Sequence, residues 1–183
     1  MKQINLGKRV RVSDPCYGTT VWCAGTVDNV KEGLYNVEVE ISDEGVWGNR
    51  VKSLTVVHAN YNKPLVFNSV AKFEVGVDSG QAGIYDENYY NQYHEEDDVN
   101  ETWYDKICNL TLFDEDHWDT KDDRCVVSRS GYGDGCYTCE LVEDNNEVVA
   151  IRITFIEDEE DEDNEENEDD RSELPWDYGK HFE

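Results

Sequence analysis

Short runs in which apolar and polar residues alternate occupy most of the chain. Lys8 to Val12 (KRVRV) and Leu34 to Ile41 (LYNVEVEI) alternate with a period of two. Phe73, Val75 and Val77 do the same against Lys72, Glu74 and Gly76. That period marks strands with one face buried. Further strands are predicted over Thr20 to Val27, interrupted by Gly25, and within Val46 to His58, where Leu54 to Val57 form the densest apolar cluster. Arg124 to Arg129, Cys136 to Val142 and Glu147 to Ile156 complete the set, the last two joined by the hairpin connection Glu143-Asp144-Asn145-Asn146. The period lengthens once: Trp103, Ile107 and Leu110 recur at steps of four and three, predicting a helix over Thr102 to Phe113 with Asn100 as its cap. Asp86 to Asp98 is polar and tyrosine-rich without a period, and reads as an irregular excursion or frayed helix. Asp114 to Asp123 reads as an acidic loop. The pattern predicts an all-β fold, or a β-rich α+β one: an antiparallel sandwich or partly open barrel of eight or nine strands with one inserted helix.

Charge divides the chain in two. Of the net −27, Glu157 to Glu183 contributes −13, with fifteen acidic and two basic residues. Those residues hold too few apolar groups to offset the entropy of ordering them, so 1–156 is expected to be the globular domain and 157–183 a disordered acidic tail. Leu174-Pro175-Trp176-Asp177-Tyr178 regains aromatics within it. So acidic a surface repels nucleic-acid phosphates and attracts basic partners or cations. No run of about eighteen apolar residues exists to span a membrane, and the first residues, MKQINLGKRVRVSDP, lack the apolar core of an export signal. A cytoplasmic protein with its six cysteines reduced is expected.

Candidate chemistry gathers at the turns. Asp14 stands at a strand exit before Pro15. Asp78, Ser79 and Gln81 lie in VDSGQAG, where Gly80 and Gly83 are expected to permit positive φ, and Ser130 and Asp134 lie in SGYGDG. Were the three turns to converge, Asp14, Asp78 and Asp134 would offer oxygen ligands to calcium or magnesium, and the metal could activate water for hydrolysis. The same residues are ordinary turn formers, because an Asp carboxylate beside glycine bonds the backbone N–H groups two residues on. Cys136-Tyr137-Thr138-Cys139 is a poor zinc motif, because residues three apart on a strand face opposite ways and no second C-x-x-C exists. Ser130 and Cys136 have no neighbouring histidine, and neither glycine cluster is followed by Lys-Ser or Lys-Thr, as a phosphate-binding loop requires. Tyr85, Tyr89, Tyr90, Tyr93, Trp103 and Tyr104 read as cover for the edge of a β core, or as a stacking surface.

Three stretches together, Val12-Ser13-Asp14-Pro15, Val77 to Ala82 with Asp86 following, and Ser130 to Tyr137, resemble a bacterial and phage family described as domain of unknown function 4241. The resemblance covers roughly residues 8 to 156 and implies that Asp14, Asp78, Asp86 and Asp134 belong to one architecture, which adds Asp86 to the candidate pocket. It implies no activity, and it is compatible with a phage or mobile-element accessory protein. The leading functional expectation is a non-catalytic, acidic protein-binding module that requires no cofactor, with a protein partner that is basic or DNA-binding. A divalent-metal hydrolase using Asp14, Asp78 and Asp134, and a DNA mimic acting through the tail, are the alternatives.

Overall fold

The computed structural model describes residues 1–18, 23–67, 72–90, 102–112 and 117–158. Its strands are β1 (Gln3–Leu6), β2 (Val10–Ser13), β3 (Gly25–Val27), β4 (Gly33–Asp43), β5 (Asn49–His58), β6 (Lys72–Val77), β7 (Gln81–Asp86), β8 (Trp118–Lys121), β9 (Cys125–Arg129), β10 (Gly135–Asp144) and β11 (Glu147–Thr154), with a ten-residue helix, α1 (Trp103–Leu112), before β8. They form two antiparallel sheets, ordered β1-β4-β5-β11-β10-β6 and β3-β2-β7-β9-β8, and neither closes into a barrel.

Alternation dictates the layers. Ile4, Leu6, Tyr35, Leu54, Val56, Val75, Val77, Ile151 and Ile153 point from the six-stranded sheet into one core, where they meet Val10, Val12, Ala82, Ile84 and Val126 from the five-stranded sheet. The opposite face of the five-stranded sheet carries Tyr85, Cys125 and Val127, which pack with Tyr89, Tyr90, Trp103 and Ile107. The aromatic residues among these are thus core cover, with Tyr104 half outside it at 37% exposure; Tyr93 lies outside the described residues. On the far face of the six-stranded sheet Val57, Val142, Val149 and Ala150 are covered by Tyr61, Leu65 and Phe67.

Eleven strands stand among the described residues, against the eight or nine expected, and the three not foreseen have physical reasons. β1 alternates cleanly but is four residues long. β8 is a polar, half-exposed edge strand inside the stretch read as an acidic loop. β7 is buried at all six positions, so it shows no alternation. It also corrects the reading of Gly83 as a turn residue: only Gly80 has positive φ, at 68°. Gly83 is in the strand because Tyr85 lies across it, where an added Cβ would meet the Tyr85 ring and Val127 at 2.5 Å.

Helix α1 starts at a reciprocal capping box. The Asp105 N–H donates to Thr102 Oγ1 at 3.2 Å while Asp105 Oδ2 accepts from the Thr102 N–H at 3.0 Å. Thr102 thus fills the role expected of Asn100, which lies outside the described residues. Residues 87–90 form a helical turn; the rest of the excursion to Asp98, and the tail beyond Asp158, also lie outside. Among the described residues no helix is long and apolar enough to cross a membrane.

Candidate functional site

Strand β2 ends at Ser13, and Pro15, which cannot continue a ladder, opens a 3-10 turn over Pro15–Tyr17. Asp14, extended at φ −65° and ψ 133°, caps that turn. Its Oδ1 accepts from the Cys16 N–H and from the Ser79 hydroxyl, both at 2.7 Å. Its Oδ2 accepts from the backbone N–H groups of Asp78 at 2.8 Å and Ser79 at 2.7 Å. Four donors on a carboxylate with about four lone-pair sites leave none free. Asp14 is fully buried and joins the β2 exit to the β6–β7 turn.

The third turn docks on the second. The Ser130 N–H donates to the Gly80 carbonyl at 3.1 Å, and a Cβ placed on Gly80 would lie 3.9 Å from the Gly133 Cα. Ser130 Oγ closes its own turn on the Gly133 carbonyl at 2.7 Å, and the Tyr137 hydroxyl reaches the same oxygen at 2.7 Å. The turns bearing Asp14, Asp78 and Asp134 therefore come together at one end of the molecule. Asp78 and Asp134 face solvent there, and Asp78 accepts from the Tyr17 hydroxyl at 2.8 Å.

Gln81 and Asp86 point elsewhere. Gln81 Oε1 accepts from the buried Thr111 hydroxyl at 2.7 Å and Nε2 lies 3.2 Å from Cys108 Sγ, so this side chain fastens α1 to β7. Asp86 stands at the other end of β7, about 16 Å of strand away. It is 1% exposed, accepts from Gly7 N–H at 2.8 Å and Tyr89 N–H at 3.1 Å, and pairs with Arg124 at 2.7 Å. The structure thus brings Asp14, Asp78, Ser79, Ser130 and Asp134 together, and leaves Gln81 beneath the helix and Asp86 at a separate clamp.

Electrostatics in the cluster are those of a packed acidic corner. Loss of solvent around its sulfur, contact with Asp14 and the charges of Asp14, Asp78 and Asp134 push the thiol of Cys16, an otherwise exposed residue, up to about 12. The Tyr17 hydroxyl is raised by desolvation and by its bond to Asp78. Among the described residues no group of three or more His, Cys, Asp or Glu is placed to hold a metal ion. Cys136 is exposed and Cys139 buried, on opposite faces of β10.

Burial, helped by the Asp122 charge and opposed by the bond to the Lys121 carbonyl, raises the Cys125 thiol from 9.0 to about 12. Between those values the folded state keeps a proton that the unfolded chain has lost, so stability falls as pH rises. The contribution is intact below pH 9 and declines by up to about 1.4 kcal/mol per unit above it. The urea midpoint is expected to drop steadily from pH 9 to 11; a flat profile would contradict the buried, neutral thiol.

A surface not foreseen lies at the same end. The β4–β5 hairpin closes through a 3-10 turn, Gly45–Trp47, which leaves Val46 96% and Trp47 67% exposed. Tyr132, 59% exposed, bonds Glu44 through its hydroxyl. Arg50 lies 6.0 Å from the Tyr132 ring centroid and donates to the carbonyls of Trp47 at 3.2 Å and Gly131 at 3.5 Å. Beside them Ser42, Glu44, Lys52, Tyr132, Phe155 and Ile156 line an open cleft of about 460 Å³. The signal was present in the sequence: an apolar pair bracketed by Gly45 and Gly48 is out of place in a hairpin tip, which is ordinarily polar.

Comparison with curated proteins and with solved structures yields no match. A family profile described as "Protein of unknown function (DUF4241)" matches residues 8–154, which span every turn of this cluster, and the chain belongs to that family.

Proposed function

We propose that the protein is a non-catalytic binding module that recognises another protein through Val46, Trp47 and Tyr132, and that it acts in the cytoplasm. The supporting observation is the exposure of Val46 and Trp47 at a hairpin tip that packs in none of the hydrophobic clusters. Leaving such side chains in water gains the fold nothing, whereas Trp and Tyr are the residues that most often dominate binding energy when they enter a partner's pocket. Asp43, Glu44, Glu157 and Asp158 surround the patch in a chain of net −27, which suits a partner whose apolar pocket has a basic rim and speeds encounter with it. The metal-hydrolase reading has less support, since all four acceptor positions of Asp14 are engaged by protein donors.

The test is capture by the immobilised full chain beside a Val46→Ser, Trp47→Ala double variant. The variant is expected to keep its melting behaviour within about 0.5 kcal/mol, as surface changes do. Recovery of the partner should fall at least about tenfold, the loss of one aromatic anchor. Equal recovery would refute the tip as the binding surface. Release of the partner by duplex DNA would show that it binds DNA and would favour the DNA-mimic reading.

A further inference from the structure

In the β6–β10 ladder Gly76 stands opposite Cys136. The Gly76 N–H donates to the Cys23 carbonyl at 3.0 Å, so it points away from β10. The Gly76–Cys136 pair is therefore one of the non-hydrogen-bonded pairs of the antiparallel ladder, where Cα atoms are about 4.5 Å apart and facing side chains come closest. Val75 and Val77 face the core, which puts Gly76 and Cys136 on the outer face. Glycine leaves its side of the pair bare, and Cys23 fills it. A Cβ on Gly76 would sit 2.6 Å from Cys23 Cβ and 2.9 Å from Cys23 Sγ. Two thiols thus lie on one face of the same rung, one of them exposed and the other half-buried, and both are free.

We propose that Cys23 and Cys136 form a redox modification site, closing an intramolecular disulfide across Gly76 when a peroxide is the oxidant. The exposed Cys136 thiolate attacks one peroxide oxygen, giving a sulfenic acid and a hydroxide that takes up a proton to become water. The Cys23 thiolate then attacks the sulfenic sulfur, the S–S bond forms, and the second oxygen leaves as water. Two thiols are oxidised and one peroxide is reduced to two waters. A disulfide requires Cβ atoms about 3.5–4.5 Å apart. Cys23 lies outside the strands and holds a left-handed φ of 52°, a conformation disfavoured for a residue with a Cβ. Cys16 is nearby and exposed, but loss of solvent around its sulfur and the Asp14 carboxylate beside it push its thiol up and so disfavour its thiolate, and Cys125 and Cys139 are buried. The bond would tie the segment leading into β3 to β10, and so one sheet to the other beside the Tyr17–Asp78 pair.

The experiment treats the reduced full-length protein with hydrogen peroxide, blocks remaining thiols by alkylation, and maps non-reduced peptides by mass spectrometry. A Cys23 peptide joined to a Cys136 peptide, with two hydrogens lost, is the expected product. The link should be absent in Cys23→Ser and Cys136→Ser and undiminished in Cys16→Ser. Gly76→Ala, which puts a methyl group where the Cys23 thiol rests, should lower its yield severalfold. Alkylation of both residues without a link, a bond from either residue to Cys16, or intermolecular dimers as the main product would each overturn the proposal.

Discussion

Asp14→Ala is expected to destabilise the protein by about 3–5 kcal/mol, because it strands several buried donors at once. The Cys16 N–H, the Asp78 N–H, the Ser79 N–H and the Ser79 hydroxyl all end on this carboxylate, and the side chain has no exposed surface through which water could replace it. The loss goes beyond one residue. Asp14 holds the β2 exit to the β6–β7 turn, and that turn in turn receives Ser130 at Gly80, so the whole three-turn corner should loosen together. Asp14→Asn should recover part of the stability, since one amide oxygen can still accept two bonds while its NH₂ faces donors or the Ser79 oxygen. Ser79→Ala, which removes one bond of the four, should cost about 1 kcal/mol. Urea denaturation of the three variants measures the series; a cost for Asp14→Ala below that for Ser79→Ala would show that the carboxylate is not the keystone of the corner.

Trp103→Ala should cost a similar amount, about 3–5 kcal/mol, for a different reason. The indole is 1% exposed and meets Tyr85, Tyr89 and Tyr90 with ring centroids 6.4, 5.5 and 6.0 Å away, all in edge-on arrangements. Removing it opens a cavity between the helix and the five-stranded sheet, lined among the described residues by side chains from α1, β7, β9 and residues 87–90. Near-UV circular dichroism should lose much of its aromatic signal while the far-UV β signal persists, because the core between the sheets contains none of these rings. Trp103→Phe should retain most of the stability. A cost under about 1.5 kcal/mol for the alanine variant would mean that α1 is held chiefly by the Gln81–Thr111 hydrogen bond and not by packing.

Strands with one wet face were legible in the sequence, since Val37 and Val39 or Val75 and Val77 alternate with polar neighbours whatever lies beyond them. β7 was not, because burial on both faces erases the period and Gly83, three residues after the true turn glycine Gly80, imitates a second turn residue. Gly83 owes its place to the Tyr85 ring, a contact that exists only once the strand is folded. The convergence of the Asp14, Asp78 and Asp134 turns was a supposition, and local residue types could not locate Asp86 or Gln81 relative to it. Strand length decides those two: six residues carry Asp86 to the opposite end of β7, and Gln81, at its start, turns toward α1. Residue chemistry also cannot tell an aspartate that binds a ligand from one that binds backbone. Asp14 is of the second kind because Ser79 and two N–H groups arrive from sixty-odd residues away.

The β4–β5 tip has a consequence for how such a chain can change over generations. Residues 44–48 sit beyond the last paired rung, Asp43 with Asn49, and Val46 and Trp47 contribute nothing to any of the hydrophobic clusters. Substitutions at Val46 and Trp47 meet little resistance from folding, whereas those at Asp14 or Trp103 forfeit much of a typical domain's whole stability, and Gly45 and Gly48, at φ 61° and 70°, stay fixed as the hinges of the turn. On the proposal that the tip binds a partner, recognition and foldability are uncoupled: the scaffold can stay constant while the tip drifts to follow a changing target, and variants that escape one partner remain folded and available to meet another.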